Sequence, residues 1–174
     1  MMKANLFEDR VVVWDLEKGK KIFEEGYYGK LREDSLELSL IEAAYLFESK
    51  QIEIDGMKLE DFLKYCRKLD DRFEFRYAVY SDLRKRELPT RTGFKFGCDF
   101  RVYAKGVKPV KRGPKAAGEH TKWIVFAVPD GYTCSFPELS RAVRLAHNIR
   151  ANMLWAVVDK KNSVNYFQVQ FFKP

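Results

Sequence analysis

Residues 123–158 read WIVFAVPDGYTCSFPELSRAVRLAHNIRANMLWAVV, and this stretch decides the fold of the carboxy-terminal half of the chain. Trp123–Val128 and Met153–Val158 are continuous apolar runs, which are typical of strands buried on both faces of a sheet. Between them, Ser135 and Glu138 have the spacing of a capping box and predict the start of a helix. The stretch therefore predicts strand, helix and strand, and with them a sheet flanked by helices.

Further strands are predicted on either side of this stretch. Phe94–Gly97 and Phe100–Tyr103 alternate apolar and polar residues, and Val164–Phe172 follows a predicted turn at Asp159–Ser163. Together these elements predict a carboxy-terminal domain, residues 87–174, with a central mixed sheet flanked by helices.

Residues 1–86 are predicted to form a small mixed α/β domain, so the fold class is α/β (α+β) with two domains. Apolar runs and turn residues predict strands, and apolar residues at helical spacing predict helices. The predicted strands are Arg10–Trp14, Lys20–Phe23 and Gln51–Ile54, with a turn at Glu17–Gly19, and the predicted helices are Leu36–Phe47, Lys58–Arg67 and Asp71–Lys85.

The composition is that of a globular protein with a moderate basic surplus. The chain has 174 residues, 46% of them hydrophobic, and a net charge of +7 from 32 basic and 25 acidic residues. Such a surplus suits a polyanionic partner, although many soluble proteins are basic. Three widely spaced cysteines predict reduced thiols, and neither a zinc site nor another metal or cofactor site has a motif here. The lack of a long apolar run predicts no membrane span and a cytoplasmic location.

Tyr103 and His120 are the candidate catalytic residues. RNA is cleaved without metal when one group takes the proton of the ribose 2′-OH, a second protonates the departing 5′-oxygen, and a cation stabilises the phosphorane. An imidazole gains or loses its proton near neutral pH, which suits His120 to the role of acid. A phenol is a weaker base unless cations lie nearby. Taken alone, Tyr103 is better explained as a structural residue and His120 as a merely exposed one. His147 lies on the predicted helix and fits a packing role better than a catalytic one.

The segment Ala104–Gly118 is a glycine- and proline-containing loop with five basic residues. It is either a solvated insertion without a role or a surface that contacts RNA, in particular through Lys111, Arg112 and Lys115.

Three blocks resemble the catalytic domain of the archaeal tRNA-splicing endonucleases: RTGFKFGCDFRVY at 91–103, EHTKW at 119–123 and SRAVRLAHNIRANMLWAVVD at 140–159. The amino-terminal half is similar as well, at 26–30, 38–43 and 80–84. The resemblance implies a small α/β domain followed by a nuclease domain. It also implies cleavage of precursor tRNA at a bulge-helix-bulge, which leaves 2′,3′-cyclic phosphate and 5′-hydroxyl ends.

The resemblance also assigns roles to particular positions. It implies that Tyr103 is the general base, that His120 is the general acid, and that Arg144 stacks on a bulge base through its planar guanidinium. The family places a catalytic lysine directly after a helix arginine, but this chain has Ala151 there. Activity is therefore expected to be impaired. Because Tyr103 and His120 are retained, an engineered replacement is favoured over natural degeneration, and a non-catalytic subunit that positions RNA is the alternative function.

Two departures from the family concern partners. The turn Asp159–Ser163 carries one acid and two lysines, whereas in members built from identical subunits it is usually acidic and docks into a neighbour. The basic loop is similar to an insertion in catalytic subunits of two-subunit members. Both features predict an oligomer that includes a second type of subunit and binds precursor tRNA.

Overall fold

The computed structural model describes residues 1–93, 97–109 and 113–174. Its contacts divide the chain into two compact units, Met1–Tyr77 and Ala78–Pro174. The domain boundary predicted at residue 86 stays a prediction, because a division by contacts does not show which parts fold alone. Among the described residues, no helix combines the length and the apolar character needed to cross a membrane.

The first unit contains a five-stranded mixed sheet with strand order β3-β4-β2-β1-β5, in which β1 and β5 are parallel and the other neighbours are antiparallel. The predicted strands at residues 10–14 and 51–54 are confirmed, as are the last two predicted helices. In chain order the elements are β1 (Met2–Leu6), β2 (Arg10–Val13), α1 (Leu16–Gly26), β3 (Lys30–Leu31), β4 (Leu36–Ser39), α2 (Leu40–Glu48), β5 (Ile52–Ile54) and α3 (Leu59–Leu69), and α4 (Phe73–Lys85) continues into the second unit.

The strand predicted at Lys20–Phe23 and the turn before it are wrong, since both lie in helix α1. The side chain of Asp15 accepts a hydrogen bond from the backbone N–H of Lys18 at 3.1 Å and caps the helix. Gly19 is buried, and a Cβ there would lie 3.1 Å from the Cβ of Leu36. The glycine therefore allows α1 to approach β4 closely and does not reverse the chain.

The helix predicted over Leu36–Phe47 is wrong in its first four residues, which form β4. Leu36 and Leu38 are buried while the residues after each are only partly so, which is the period of a strand. Ser39 then starts α2 in a capping box with Glu42. The carboxylate of Glu42, 3% exposed, also accepts the backbone N–H of Gly29 at 2.9 Å.

We expect Glu42→Ala to lower the free energy of unfolding by about 2–3 kcal/mol, because it leaves the buried N–H of Gly29 and the N–H of Ser39 without their acceptor. Urea unfolding followed by circular dichroism measures the change. Glu24→Ala, which truncates an exposed glutamate of α1, is the control and should stay within about 0.5 kcal/mol of the parent. Equal stability of the two variants would contradict the prediction.

The second unit contains a five-stranded mixed sheet with strand order β10-β9-β8-β7-β6. Strands β8 and β9 are parallel, and the other neighbours are antiparallel. Helix α5 connects β8 to β9 and packs through Ala142 and Ala146 onto an apolar cluster with Ile124 and Met153. The predicted strand, helix and strand of residues 123–158 are thus confirmed. The elements are β6 (Thr90–Thr92), β7 (Phe100–Val102), β8 (Trp123–Pro129), α5 (Phe136–Asn148), β9 (Asn152–Val158) and β10 (Val164–Val169).

Three details of this unit differ from the predictions. Strand β10 ends at Val169, short of the predicted Phe172, and β6 was not predicted. The strand predicted at Phe94–Gly97 falls largely on residues 94–96, which lie outside the described residues. Ser135 does cap α5 by accepting the N–H of Glu138 at 3.3 Å, but the Glu138 carboxylate accepts from the hydroxyl of Tyr132.

Candidate active site

The sheet of the second unit aligns two predicted site positions, Tyr103 and Ala151, in one row with Lys122 between them. Val102 pairs with Trp123, which pairs with Asn152, so the next residues outward are Tyr103, Lys122 and Ala151. The N–H of Lys122 donates to the carbonyl of Val102 at 2.9 Å, and the N–H of Asn152 donates to the carbonyl of Lys122 at 2.9 Å. Strand direction causes this alignment, because β7 ends at the same end of the sheet at which the parallel strands β8 and β9 begin.

Tyr103 is buried and hydrogen-bonded at this end of the sheet. It is 2% exposed, and its backbone N–H donates to the carbonyl of Pro89 at 2.9 Å. The Nζ of Lys115 lies 5.7 Å from the centroid of the tyrosine ring and also donates to the carbonyl of Pro109 at 3.2 Å. Lys115, predicted from the basic loop, thus places a positive charge beside the predicted base.

His120 follows a short 3-10 helix, Ala117–Glu119, and is exposed. The carboxylate of Glu119 accepts the N–H of Ala116 at 2.8 Å and closes this turn. His120 lines a cleft of about 730 Å³ together with Ala104, Lys122, Asn148, Arg150 and Asn152. The cleft therefore adjoins all three predicted catalytic positions, because Ala104 follows Tyr103 and the last two residues flank Ala151.

Ala151 occupies the end of a Schellman motif. Its N–H donates to the carbonyl of Ala146 at 2.9 Å, and the N–H of Arg150 donates to the carbonyl of His147 at 3.0 Å. Arg150 has a left-handed φ of 55°. The Ala151 side chain is partly buried against the apolar cluster under α5 and is not among the residues that line the cleft. Its neighbours on both sides supply the lining.

Of the other predicted RNA-binding residues, the structure describes only Arg144. Arg144 is exposed on α5 and is not among the cleft-lining residues. Lys111 and Arg112 lie outside the described residues. His147 is exposed and contacts Phe171 edge to face, with 6.1 Å between ring centroids.

Lys122 is a cleft residue that sequence reasoning did not single out, whereas Arg150 was considered there as one of the helix arginines, with a solvated face as the alternative. The only sequence signal for Lys122 was its position two residues after His120, and a lysine near a histidine is too common to be informative. For Arg150 the signal was its place beside Ala151.

Two groups of this unit with raised pKa values, Tyr166 and Cys98, are structural. Burial, reinforced by the carboxylate of Asp82, raises the pKa of Tyr166, whose hydroxyl donates to Asp82 at 2.7 Å. Burial also raises the pKa of the Cys98 thiol to about 11, which keeps it protonated at neutral pH. Within the described ranges, no cluster of three histidine, cysteine, aspartate or glutamate side chains is suited to hold a metal ion.

Two domain models of one protein family match the chain. The model of the tRNA intron endonuclease N-terminal domain matches residues 2–66, and that of the tRNA intron endonuclease catalytic C-terminal domain matches residues 73–166. The chain is 38% identical over 169 residues to the tRNA-splicing endonuclease of Thermococcus kodakarensis, covering 95% of each protein. It is 40% identical over 145 residues to that of Nanoarchaeum equitans, covering 81% of this chain and 92% of the relative.

A third relative is longer. The chain is 37% identical over 172 residues to the tRNA-splicing endonuclease of Methanococcoides burtonii, and the match covers 95% of this chain but 47% of that protein. The chain thus spans about half of this relative and nearly all of the one from Thermococcus kodakarensis. With both domain models matched in order, the chain belongs to the tRNA intron endonuclease family.

Proposed function

We propose that this chain is a catalytic-type subunit of a tRNA-splicing endonuclease that cleaves precursor tRNA at a bulge-helix-bulge without a metal ion. The observation that carries the proposal is that Tyr103, His120 and Ala151 belong to segments at the same end of the sheet. These segments, one after β7 and the others before β8 and β9, adjoin one cleft. Precursor tRNA is the substrate of the family.

The proposed reaction is an internal transfer of the phosphodiester. Tyr103 takes the proton of the 2′-OH, the 2′-oxygen attacks phosphorus, and the bond from phosphorus to the 5′-oxygen breaks. His120 protonates that leaving oxygen, so the products carry a 2′,3′-cyclic phosphate and a 5′-hydroxyl. Lys115 supplies positive charge beside Tyr103, whereas Ala151 supplies none to the phosphorane. We therefore expect slow cleavage by the chain with this residue.

The turn between β9 and β10 supports the proposal of a second subunit. Asp159, its one acid, accepts the N–H groups of Lys161 at 2.7 Å and Ser163 at 2.9 Å through the same carboxylate oxygen. That oxygen is already used inside the turn, and the two residues that follow Asp159 are exposed lysines. We propose that a partner subunit provides the acidic turn that this chain lacks and that the assembled oligomer cleaves the RNA.

The direct test is cleavage of a bulge-helix-bulge RNA in EDTA by the chain and by Ala151→Lys, alone and with candidate second subunits. Cuts at the two bulges with cyclic phosphate ends are the expected result. Cuts elsewhere, or none by either form under any of these conditions, would reject the proposed function. The latter result would favour the alternative, a non-catalytic subunit that positions RNA, for which the apolar packing of Ala151 is the supporting observation.

We expect replacement of Lys111, Arg112 and Lys115 by alanine to weaken binding of precursor tRNA and to reduce its salt dependence. Removing one cation that neutralises a phosphate makes the slope of log K against log salt shallower by about 0.7 to 0.9. Fluorescence anisotropy across a salt series measures the slope. Lys105→Ala is the control within the same loop, because the Lys105 ammonium is already paired with the carboxylate of Glu87. An unchanged slope in the triple variant would exclude contact between this loop and RNA.

A further inference from the structure

Lys122 lies between the predicted base and the position of the missing lysine. In the outermost row of the sheet, Tyr103 is on one side of Lys122 and Ala151 is on the other. Adjacent strands are about 4.7–4.9 Å apart, so each neighbour in the row is one strand spacing away. We propose that Lys122 is a further catalytic residue, which binds the phosphate at the cleavage point and supplies the positive charge that Ala151 cannot. This inference rests on the proposed function.

The backbone of Lys122 is fixed on both sides. Its N–H donates to Val102 at 2.9 Å, and its carbonyl accepts the backbone N–H of Asn152 at 2.9 Å and the side-chain Nδ2 of Asn152 at 3.5 Å. The lysine therefore starts from a well-defined point at the edge of the cleft that it shares with His120. A fixed starting point reduces the ordering that phosphate binding requires.

The ammonium of Lys122 is available to an incoming anion. The side chain is exposed, and its Nζ lies 4.4 Å from the centroid of the Trp123 ring. Within residues 1–93, 97–109 and 113–174, no carboxylate is paired with this ammonium. An exposed cation–π contact is weak compared with a charge-assisted hydrogen bond to phosphate, so RNA can displace the ring.

Arg150 is a second basic residue among the described residues that line the cleft, but it is placed differently. It precedes Ala151 in the turn after α5, outside the row that contains Tyr103 and Lys122. Arg150 has a left-handed φ of 55°, which glycine adopts without strain, so glycine is a suitable replacement at this position. Arg150→Gly therefore removes the guanidinium while the turn is retained.

The experiment is a double-mutant cycle with Lys122→Gln in the parent chain and in Ala151→Lys, with single-turnover rates measured at saturating bulge-helix-bulge RNA in EDTA. In the parent chain we expect Lys122→Gln to lower the residual rate about 10- to 100-fold. In the Ala151→Lys form we expect a loss of less than about threefold, since the lysine at 151 already supplies the charge. Lys122→Arg should retain most of the residual rate. The control is Lys68→Gln, which removes the same charge from an exposed lysine of α3 and should leave the rates in both backgrounds unchanged.

Four outcomes would overturn the inference while the proposed function stands. The first is an equal effect of Lys122→Gln in both backgrounds, and the second is no residual cleavage by the parent although Ala151→Lys cleaves. The third is a larger loss with Arg150→Gly than with Lys122→Gln in the parent chain. If Ala151→Lys itself does not cleave, alone or with candidate second subunits, the proposed function fails and the inference fails with it. The fourth outcome, which leaves the proposed function standing, is an effect confined to the RNA concentration needed for half the maximal rate, because it would show that Lys122 contributes to binding and not to catalysis.

Discussion

Replacing Ala151 by lysine should raise the rate of RNA cleavage about 10²- to 10³-fold, the effect commonly measured when one group that stabilises transition-state charge is removed or restored. The phosphorane carries more negative charge than the ground-state phosphodiester, so a cation at this position favours the transition state selectively. Single-turnover cleavage of a bulge-helix-bulge RNA in EDTA measures the gain. The gain should appear in the rate at saturating RNA.

The fold should accept this substitution. Ala151 is only partly buried, and its contribution to the turn after α5 is a backbone N–H bond to Ala146, which lysine retains. The methylene groups of lysine can cover the apolar cluster while the ammonium reaches solvent. Ala151→Met is the matched control, because it adds similar length without charge. If methionine and lysine gave the same rate, a charge effect at residue 151 would be excluded.

Replacing His120 by glutamine should lower cleavage by about 10²- to 10⁴-fold in the Ala151→Lys background, the range expected for loss of a general acid. His120 is exposed at the end of a short turn, so its replacement should not disturb packing. The chain has two histidines, and His147→Gln is the natural control: it changes the same type of side chain outside the lining of the cleft. A loss similar to that of His120→Gln would contradict the assignment.

The pH dependence of cleavage distinguishes the two histidines further. A general acid must be protonated, so the rate should fall as the pH rises and that acid loses its proton. This alkaline decrease should disappear in His120→Gln and remain in His147→Gln. Rates measured from about pH 5 to pH 8, the interval in which an imidazole titrates, test it. If the decrease persisted without His120, another group would be the acid.

The sequence predicted the second unit better than the first. Trp123–Val128 and Met153–Val158 were recognisable because strands covered on both faces are apolar throughout, and the cap at Ser135 marked the helix between them. The errors at Lys20–Phe23 and Leu36–Ser39 share a cause. Apolar residues in short segments fit either period. The close approach of Gly19 of α1 to Leu36 of β4 is a tertiary contact that the periodicity of neither segment encodes.

The sequence by itself determined the family, the two-part organisation and the central strands, because each of these depends on local patterns or on residue order. It also predicted Tyr103, His120 and Ala151 as site positions. Only the tertiary structure decided which side chains share the cleft. The row of Tyr103, Lys122 and Ala151 across the sheet depends on the antiparallel pairing of β7 with β8 and the parallel pairing of β8 with β9. Such pairings join residues far apart in the chain, and no local periodicity encodes their register.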